Sequence, residues 1–150
     1  MPQSLARVLV HVIFSTKNRQ PLIAPGLRDE LNAYLVGILA NLDSPSVATN
    51  AFRDHVHSLM RLSRTRSLAD VMEQLKVGSS KSLKTKGPAL QQFHWQNGYG
   101  AFSVSPSNLA EVRDYIASQE QHHASMTFQE EFRAFLKRHG VEFDERYVWD

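Results

Sequence analysis

The sequence contains no cysteine among its 150 residues. This absence excludes disulfide bonds, thiol catalysis and metal sites built on cysteine. Long hydrophobic runs are also missing, because His11, Asn32 and Asp43 interrupt the best candidates before they reach the ~18 residues of a membrane span. Residues 1–4 lack the basic and apolar regions of a signal peptide. We therefore expect a cytoplasmic protein with no membrane partner.

Charge is nearly balanced overall, with 17 Lys and Arg against 15 Asp and Glu, and this balance identifies no partner. Its distribution is uneven. Residues 53–86 contain eight basic and three acidic side chains, whereas residues 107–150 contain five and nine. This asymmetry predicts one face for a polyanion and another that is solvated or contacts a partner. The length and the 42% hydrophobic content predict a single domain over residues 1–150.

Hydrophobic periodicity predicts the order of the secondary structure elements. They are a strand over 7–15, a helix over 27–39, strands over 47–52 and 55–62, a helix capped by Ser67, a bent strand over 93–105, and helices beginning at Asn108 and Thr127. The first six match the split βαβ pattern of ferredoxin-like domains. The predicted fold class is thus α+β, with an antiparallel sheet and helices on one face, plus an extra C-terminal helix and tail.

Two histidines on a predicted strand form the first chemical pattern. His55 and His57 are two residues apart, so their side chains project from the same face of the strand. Two imidazoles placed side by side can share one divalent ion. Such pairs also arise by chance, so this pair alone does not define a metal site.

A second polar pattern lies on the helix predicted after Asn108. Tyr115, Gln119, His122 and His123 fall on one stripe of that helix, at the border of its apolar face. The alternative interpretation is a tyrosine at the edge of the core with exposed neighbours. A phenol is a poor nucleophile at neutral pH unless its anion or its transition state is stabilised, which a nearby divalent ion can do.

Together the two patterns resemble a known family. A His-hydrophobic-His strand followed by Tyr-x-x-x-Gln on a helix is similar to the single-tyrosine HUH transposases of the IS200/IS605 type. Segments 11–19, 95–105, 119–123 and 135–150 resemble the same family.

This resemblance implies specific roles. Tyr115 would be the nucleophile, and His55, His57 and Gln119 would hold Mg²⁺ or Mn²⁺. The implied enzyme cuts single-stranded DNA, leaves a 5′-phosphotyrosine link and a free 3′-OH, and then rejoins strands. It would recognise DNA with hairpin ends and act as a homodimer in which the tyrosine helix of one subunit meets the histidine pair of the other.

Basic side chains are candidates for contact with the DNA backbone, since each neutralised phosphate adds affinity. The candidates are Lys17, Arg19, Arg61, Lys81 and Lys84. For each of them, the alternative is a solvated surface charge.

Two other functions remain open at this point. One is a domesticated relative that cuts chromosomal hairpins without moving an element. The other is a non-catalytic module that binds single-stranded nucleic acid and stacks bases on Phe93, Trp95 and Phe102. Of the three candidate functions, only the non-catalytic module would tolerate replacement of Tyr115.

Overall fold

A computed structural model describes residues 2–150, and for His122 it describes the backbone only. Its strands are β1 (Val8–Ser15), β2 (Ser46–Ala51), β3 (His55–Leu62) and β4 (Gly100–Val104). Its helices are α1 (Pro25–Asn41), α2 (Leu68–Leu83), α3 (Leu109–Ala117), α4 (Gln119–His123) and α5 (Phe128–Arg138). Within this described part of the chain, no helix is long and apolar enough to cross a membrane.

The four strands form one antiparallel sheet in the order β2-β3-β1-β4. This is the strand order of the split βαβ unit, so the predicted fold class is confirmed. Strand β1 lies between β3 and β4 and is buried from Leu9 to Ser15. Because both faces of β1 are covered, the sequence of this strand is a nearly continuous apolar run.

The two faces of the sheet carry different layers. Val12 and Phe14 of β1 point to a core that α1 and α2 cover. Ile13 points to the opposite face, where it packs with Phe102 and with Phe132 of α5. The helices of the split βαβ unit thus lie on one face, and the C-terminal helices form a second layer on the other. The side chains of His55 and His57 lie beneath this second layer.

Two predicted elements differ from the structure. The strand predicted over 93–105 is limited to β4, and Trp95 makes only an isolated bridge to Thr16. Trp95 instead packs edge-on against Phe14 and Phe93 and donates from Nε1 to Ser79 Oγ at 2.9 Å. Packing of this indole in the core therefore takes precedence over strand pairing.

The helix predicted to begin at Asn108 is divided at Ser118, whose φ of −107° and ψ of 32° separate α3 from α4. Asn108 makes no side-chain cap, because its φ of −101° and ψ of 3° do not give the extended backbone that capping needs. Ser67 and Thr127 do cap α2 and α5, as the sequence predicts, by accepting from the backbone N–H groups of Asp70 and Glu130.

Gly100 lets α5 approach the sheet. A Cβ atom at this position would lie 2.4 Å from Cε2 of Phe132, which is closer than non-bonded atoms can pack. The missing side chain therefore fixes the distance between β4 and α5, and with it the position of Glu131, which precedes Phe132.

Candidate active site

The histidine pair of β3 is fully buried and faces the second layer. The ring centroids of His55 and His57 are 5.3 Å apart, and both side chains are 0% exposed. Nδ1 of His55 lies 2.7 Å from Oδ1 of Asp54, so the ring donates its Nδ1–H to this carboxylate. That hydrogen bond places the ring proton on Nδ1 and leaves the lone pair of Nε2, which faces oxygen atoms of Gln119 and Glu131, available to a metal ion.

His57 forms hydrogen bonds through both ring nitrogens. Its Nε2 lies 2.9 Å from Oε1 of Glu131, and its Nδ1 lies 2.8 Å from Nε2 of His11. Because the carboxylate accepts the Nε2–H of His57, the Nδ1 atom of His57 accepts from His11. Burial lowers the pKa of His57 to about 4 and that of His11 well below its usual value, so both rings are neutral at pH 7.

Tyr115 lies on α3 with its ring centroid 5.9 Å from that of His57. Its hydroxyl donates to Oε2 of Glu131. Burial and the Glu131 carboxylate together raise the pKa of Tyr115 well above its usual value. The phenol is therefore held in its protonated form and in a fixed orientation beside the histidine pair.

Gln119 is the first residue of α4 and is 1% exposed. Its Oε1 lies 3.2 Å from Nε2 of His55. The structure thus brings together, within one chain, Tyr115, Gln119 and the two histidines.

Glu131 is a site residue that the sequence interpretation missed. It is 1% exposed, and its Oε1 lies 2.9 Å from Nε2 of His57, 3.2 Å from Nε2 of His123 and 3.8 Å from Nε2 of His55. One signal could have found it: Glu131 lies three residues after Phe128 and four before Phe135, so a carboxylate borders the apolar face of the last helix.

His55, His57, His123 and Glu131 offer four ligand atoms that all lie within 4.8 Å of one another. We call these four residues the donor cluster. His123 belongs to the polar stripe that the sequence indicates, although it was not among the expected ligands. The side chain of His122, from the same stripe, lies outside the described structure.

Charges within the donor cluster are coupled. Burial opposes ionisation of Glu131, but hydrogen bonds from His123, His57 and Tyr115 outweigh it and hold the pKa of Glu131 well below its usual value. Burial also opposes a charge on His123, yet the hydrogen bond to Glu131 and its negative charge raise the pKa of His123. Glu131 is therefore an anion surrounded by imidazoles, an arrangement that suits a cation.

The five predicted DNA contacts lie in three separate places. Arg19 donates to the backbone oxygen of Trp149 at 2.8 Å and lies over its indole ring, so it anchors the C-terminal tail. Lys17 lies in the same turn, and Arg61 is exposed on β3. Lys81, in the last turn of α2, and Lys84, directly after it, line a cavity of about 520 Å³ in the layer opposite to Tyr115.

Comparison with known proteins identifies the class of this chain. Residues 4–119 match the family model described as transposase, IS200-like. The chain therefore belongs to the IS200-like transposase family, and it is a single-strand DNA transposase that cleaves DNA. The matched residues include Tyr115 and Gln119 and exclude His123 and Glu131. A search of curated proteins finds no match.

Two solved structures have the same fold. One is a protein from Deinococcus radiodurans R1 assigned as a transposase, with a TM-score of 0.64 and 24% identity, over 79% of this chain and 98% of that chain. The other is a REP-associated tyrosine transposase bound to a REP hairpin, with a TM-score of 0.61 and 12% identity, over 84% of this chain and 74% of that chain.

Proposed function

We propose that Tyr115 is the nucleophile of this transposase and that a divalent cation assists it. The observation that carries the proposal is the hydrogen bond from the Tyr115 hydroxyl to Glu131, because the same carboxylate contacts His57 and His123. In the reaction, Oη of Tyr115 forms a bond to phosphorus and the bond from phosphorus to the 3′-oxygen breaks. The products are a 5′-phosphotyrosine and a strand that ends in a 3′-OH, and attack by a 3′-OH reverses the step.

Glu131 accepts the hydrogen bond that the phenol donates. Because its pKa is held well below its usual value, this carboxylate is a weak base, and the phenol proton is released only as the oxygen attacks phosphorus. The leaving 3′-oxygen takes up a proton in the same overall step. Glu131 also fixes the direction in which the phenol oxygen points.

The residues present fit a divalent cation. His55 and His57 would hold it through Nε2, Gln119 through Oε1, and Glu131 and His123 would complete the set. When bound, the cation would polarise a phosphoryl oxygen and offset the charge that develops during attack. Three imidazoles and a carboxylate suit Mn²⁺ better than Mg²⁺, which prefers oxygen ligands and retains water.

Neighbouring residues would orient these ligands. Asp54 accepts the Nδ1–H of His55 and so turns its Nε2 towards the cluster. For His57 to offer Nε2, its ring proton has to sit on Nδ1, where Nε2 of His11 can accept it across the existing 2.8 Å contact. His11 thus allows His57 to change tautomer without losing a hydrogen bond.

The proposed substrate is single-stranded DNA with hairpin ends, in the cytoplasm. A structural relative is bound to a REP hairpin. Lys17, Arg61, Lys81 and Lys84 are candidate phosphate contacts on this chain, and Arg19 is a further candidate if the tail is displaced. We also propose a homodimer; because Tyr115 and the histidines meet within one chain, pairing would serve to hold two DNA ends.

The test is to locate a covalent DNA adduct. Labelled single-stranded oligonucleotides that cover the DNA on both sides of the gene are incubated with the full chain and Mn²⁺, and the adduct is mapped by mass spectrometry. The expected result is a phosphonucleotide on the peptide that contains Tyr115. An adduct on another residue, or cleavage without any adduct, would contradict the proposal.

A further inference from the structure

A second cavity lies against the nucleophile. It has a volume of about 210 Å³ and is bounded by β4, α3 and the end of α5, and Tyr115 forms part of its wall. Glu111, Phe135, Arg138 and His139 line it as well. The donor cluster lies outside this lining but adjoins it, because the lining includes His11, which hydrogen-bonds to His57, and Tyr115, which hydrogen-bonds to Glu131.

Arg138 places a positive charge in this cavity. It is the last residue of α5, it is exposed, and its guanidinium carbon lies 5.4 Å from the ring centroid of Phe135. Among the described residues it forms no ion pair, whereas Arg133 and Arg146 are each paired with a carboxylate. A guanidinium without a carboxylate partner presents its N–H groups to a phosphate with well-matched geometry.

Aromatic rings lie next to this charge. The ring of His139 stacks on the ring of Phe135 with an interplanar angle of 12°. The centroid of the His139 ring is 4.7 Å from the centroid of the Phe102 ring. His139 is exposed, and a nucleobase can stack on such a flat surface whatever its sequence. The cavity thus combines a cation for a phosphate with rings for a base.

The acidic residue of the lining indicates which end of the cavity binds the phosphate. Glu111 lies in the first turn of α3, one helical turn before Tyr115. Its carboxylate repels a phosphate, so the phosphate is expected at the α5 side of the cavity, next to Arg138. Tyr115 is part of the same wall, and its hydroxyl donates to Glu131.

We propose that this cavity binds the nucleotide that carries the scissile phosphate, with Arg138 on the phosphate and His139 and Phe135 against the base. The proposal rests on the proposed function, in which Tyr115 attacks that phosphate. Arg138 and His139 lie beyond the residues that match the family model, so this part of the substrate site belongs to the C-terminal segment of the chain.

A binding experiment tests the cavity without any cleavage. The ¹⁵N-labelled full chain is titrated in EDTA with the dinucleotide pTpT, and amide shifts are followed by NMR. We expect the largest shifts at residues 138–139 and near Tyr115, with Arg138→Gln weakening binding about tenfold and Arg138→Lys weakening it less. Lys137→Gln is the matched control, since it removes the same charge from the preceding residue, which lines a different cavity. Equal affinities of Arg138→Gln and Lys137→Gln for pTpT would overturn the proposal. Amide shifts centred on the cavity that Lys81 and Lys84 line would overturn it as well.

Cleavage kinetics separate this proposal from the proposed function. With the oligonucleotides described above, Arg138→Gln should raise KM about tenfold and reduce the salt dependence of binding by about one phosphate contact, whereas Lys137→Gln should not change KM. An adduct on Tyr115 together with an unchanged KM for Arg138→Gln would refute the nucleotide site alone. Dinucleotide shifts at 138–139 without any adduct on Tyr115 would support binding in the cavity and refute the nucleophile. The NMR spectrum of each variant verifies that it is folded.

Discussion

The hydroxyl of Tyr115 donates a hydrogen bond to Glu131, which comes from the next helix but one. The same carboxylate accepts from His57 at 2.9 Å. One buried side chain therefore connects the proposed nucleophile with the proposed metal ligands. The consequences can be tested residue by residue.

Replacing Tyr115 by Phe should abolish strand cleavage and leave DNA binding nearly unchanged. The substitution removes one oxygen and keeps the ring that packs against Phe135. The denaturant-resistant protein–DNA adduct on a gel and the Kd from fluorescence anisotropy measure the two properties. Tyr34→Phe, on exposed α1 surface, should behave like the wild-type chain. An adduct of normal yield in Tyr115→Phe would identify another nucleophile.

Replacing Glu131 by Gln should weaken Mn²⁺ binding by about 10- to 100-fold, because the only anionic member of the donor cluster becomes neutral. The same change should lower the pKa of His123, which Glu131 raises. Titration of Mn²⁺ followed by electron paramagnetic resonance, and NMR titration of His123 in the metal-free protein, measure these effects. Glu130→Gln changes an exposed neighbour and serves as the control. An unchanged Mn²⁺ affinity in Glu131→Gln would remove the carboxylate from the ligand set.

The metal-free protein should lose stability as the pH falls from about 6.5 to about 4. Burial lowers the pKa of His57 to about 4 in the folded chain, so the unfolded chain binds more protons than the folded chain across this range. The expected loss in the free energy of unfolding from His57 alone is about 3 kcal/mol, and His11 adds to it in the same sense. The raised pKa of His123 acts in the opposite sense only above about pH 6.5, where its stabilising effect is lost as the pH rises.

Denaturant unfolding in EDTA at several pH values measures this loss. His57→Gln should reduce the dependence and leave the part that His11 contributes, because burial lowers the pKa of His11 as well. His94→Gln, at an exposed position, should retain the full dependence. A stability that does not change between pH 6.5 and 4 would show that His57 is not desolvated as described.

Mixing a Tyr115→Phe chain with a His57→Ala chain should restore no cleavage. The ring centroids of the two wild-type residues are 5.9 Å apart within one chain, so each mixed dimer would still contain two defective sites. Subunit exchange is first verified with chains that carry different tags. Recovered cleavage would instead reveal exchange of tyrosine helices between subunits, the arrangement that the family resemblance implies.

Replacing Gly100 by Ala should destabilise the fold by roughly 1–3 kcal/mol, because the added methyl group overlaps Phe132. Gly37→Ala is the matched control. Apart from the neighbouring residues and backbone of α1 itself, no atom of the described residues lies within 4 Å of a Cβ at Gly37, so this change should raise stability by about 0.5–1 kcal/mol. Thermal melts of both variants measure the difference. Equal melting temperatures would show that α5 can move away from β4 at no cost.

The sequence by itself determined the sheet and the placement of the histidine pair on one face of a strand. The run in β1 and the apolar stripe of α1 are local patterns, and the strand order follows from the succession of elements. The shared face of His55 and His57 follows from the alternation of a strand, since residues two apart always project together.

Only the tertiary structure decided which groups surround that pair. Helical periodicity placed Tyr115 and Gln119 on one stripe, but the break at Ser118 sets the actual direction of Gln119 towards His55. Glu131 lies 74 residues from His57 along the chain, and no local pattern joins them. Their contact exists because α5 packs on the sheet face that carries the histidines, where Gly100 leaves room for Phe132. A buried carboxylate is stable there because three other side chains, brought in from β3, α3 and α4, donate hydrogen bonds to it.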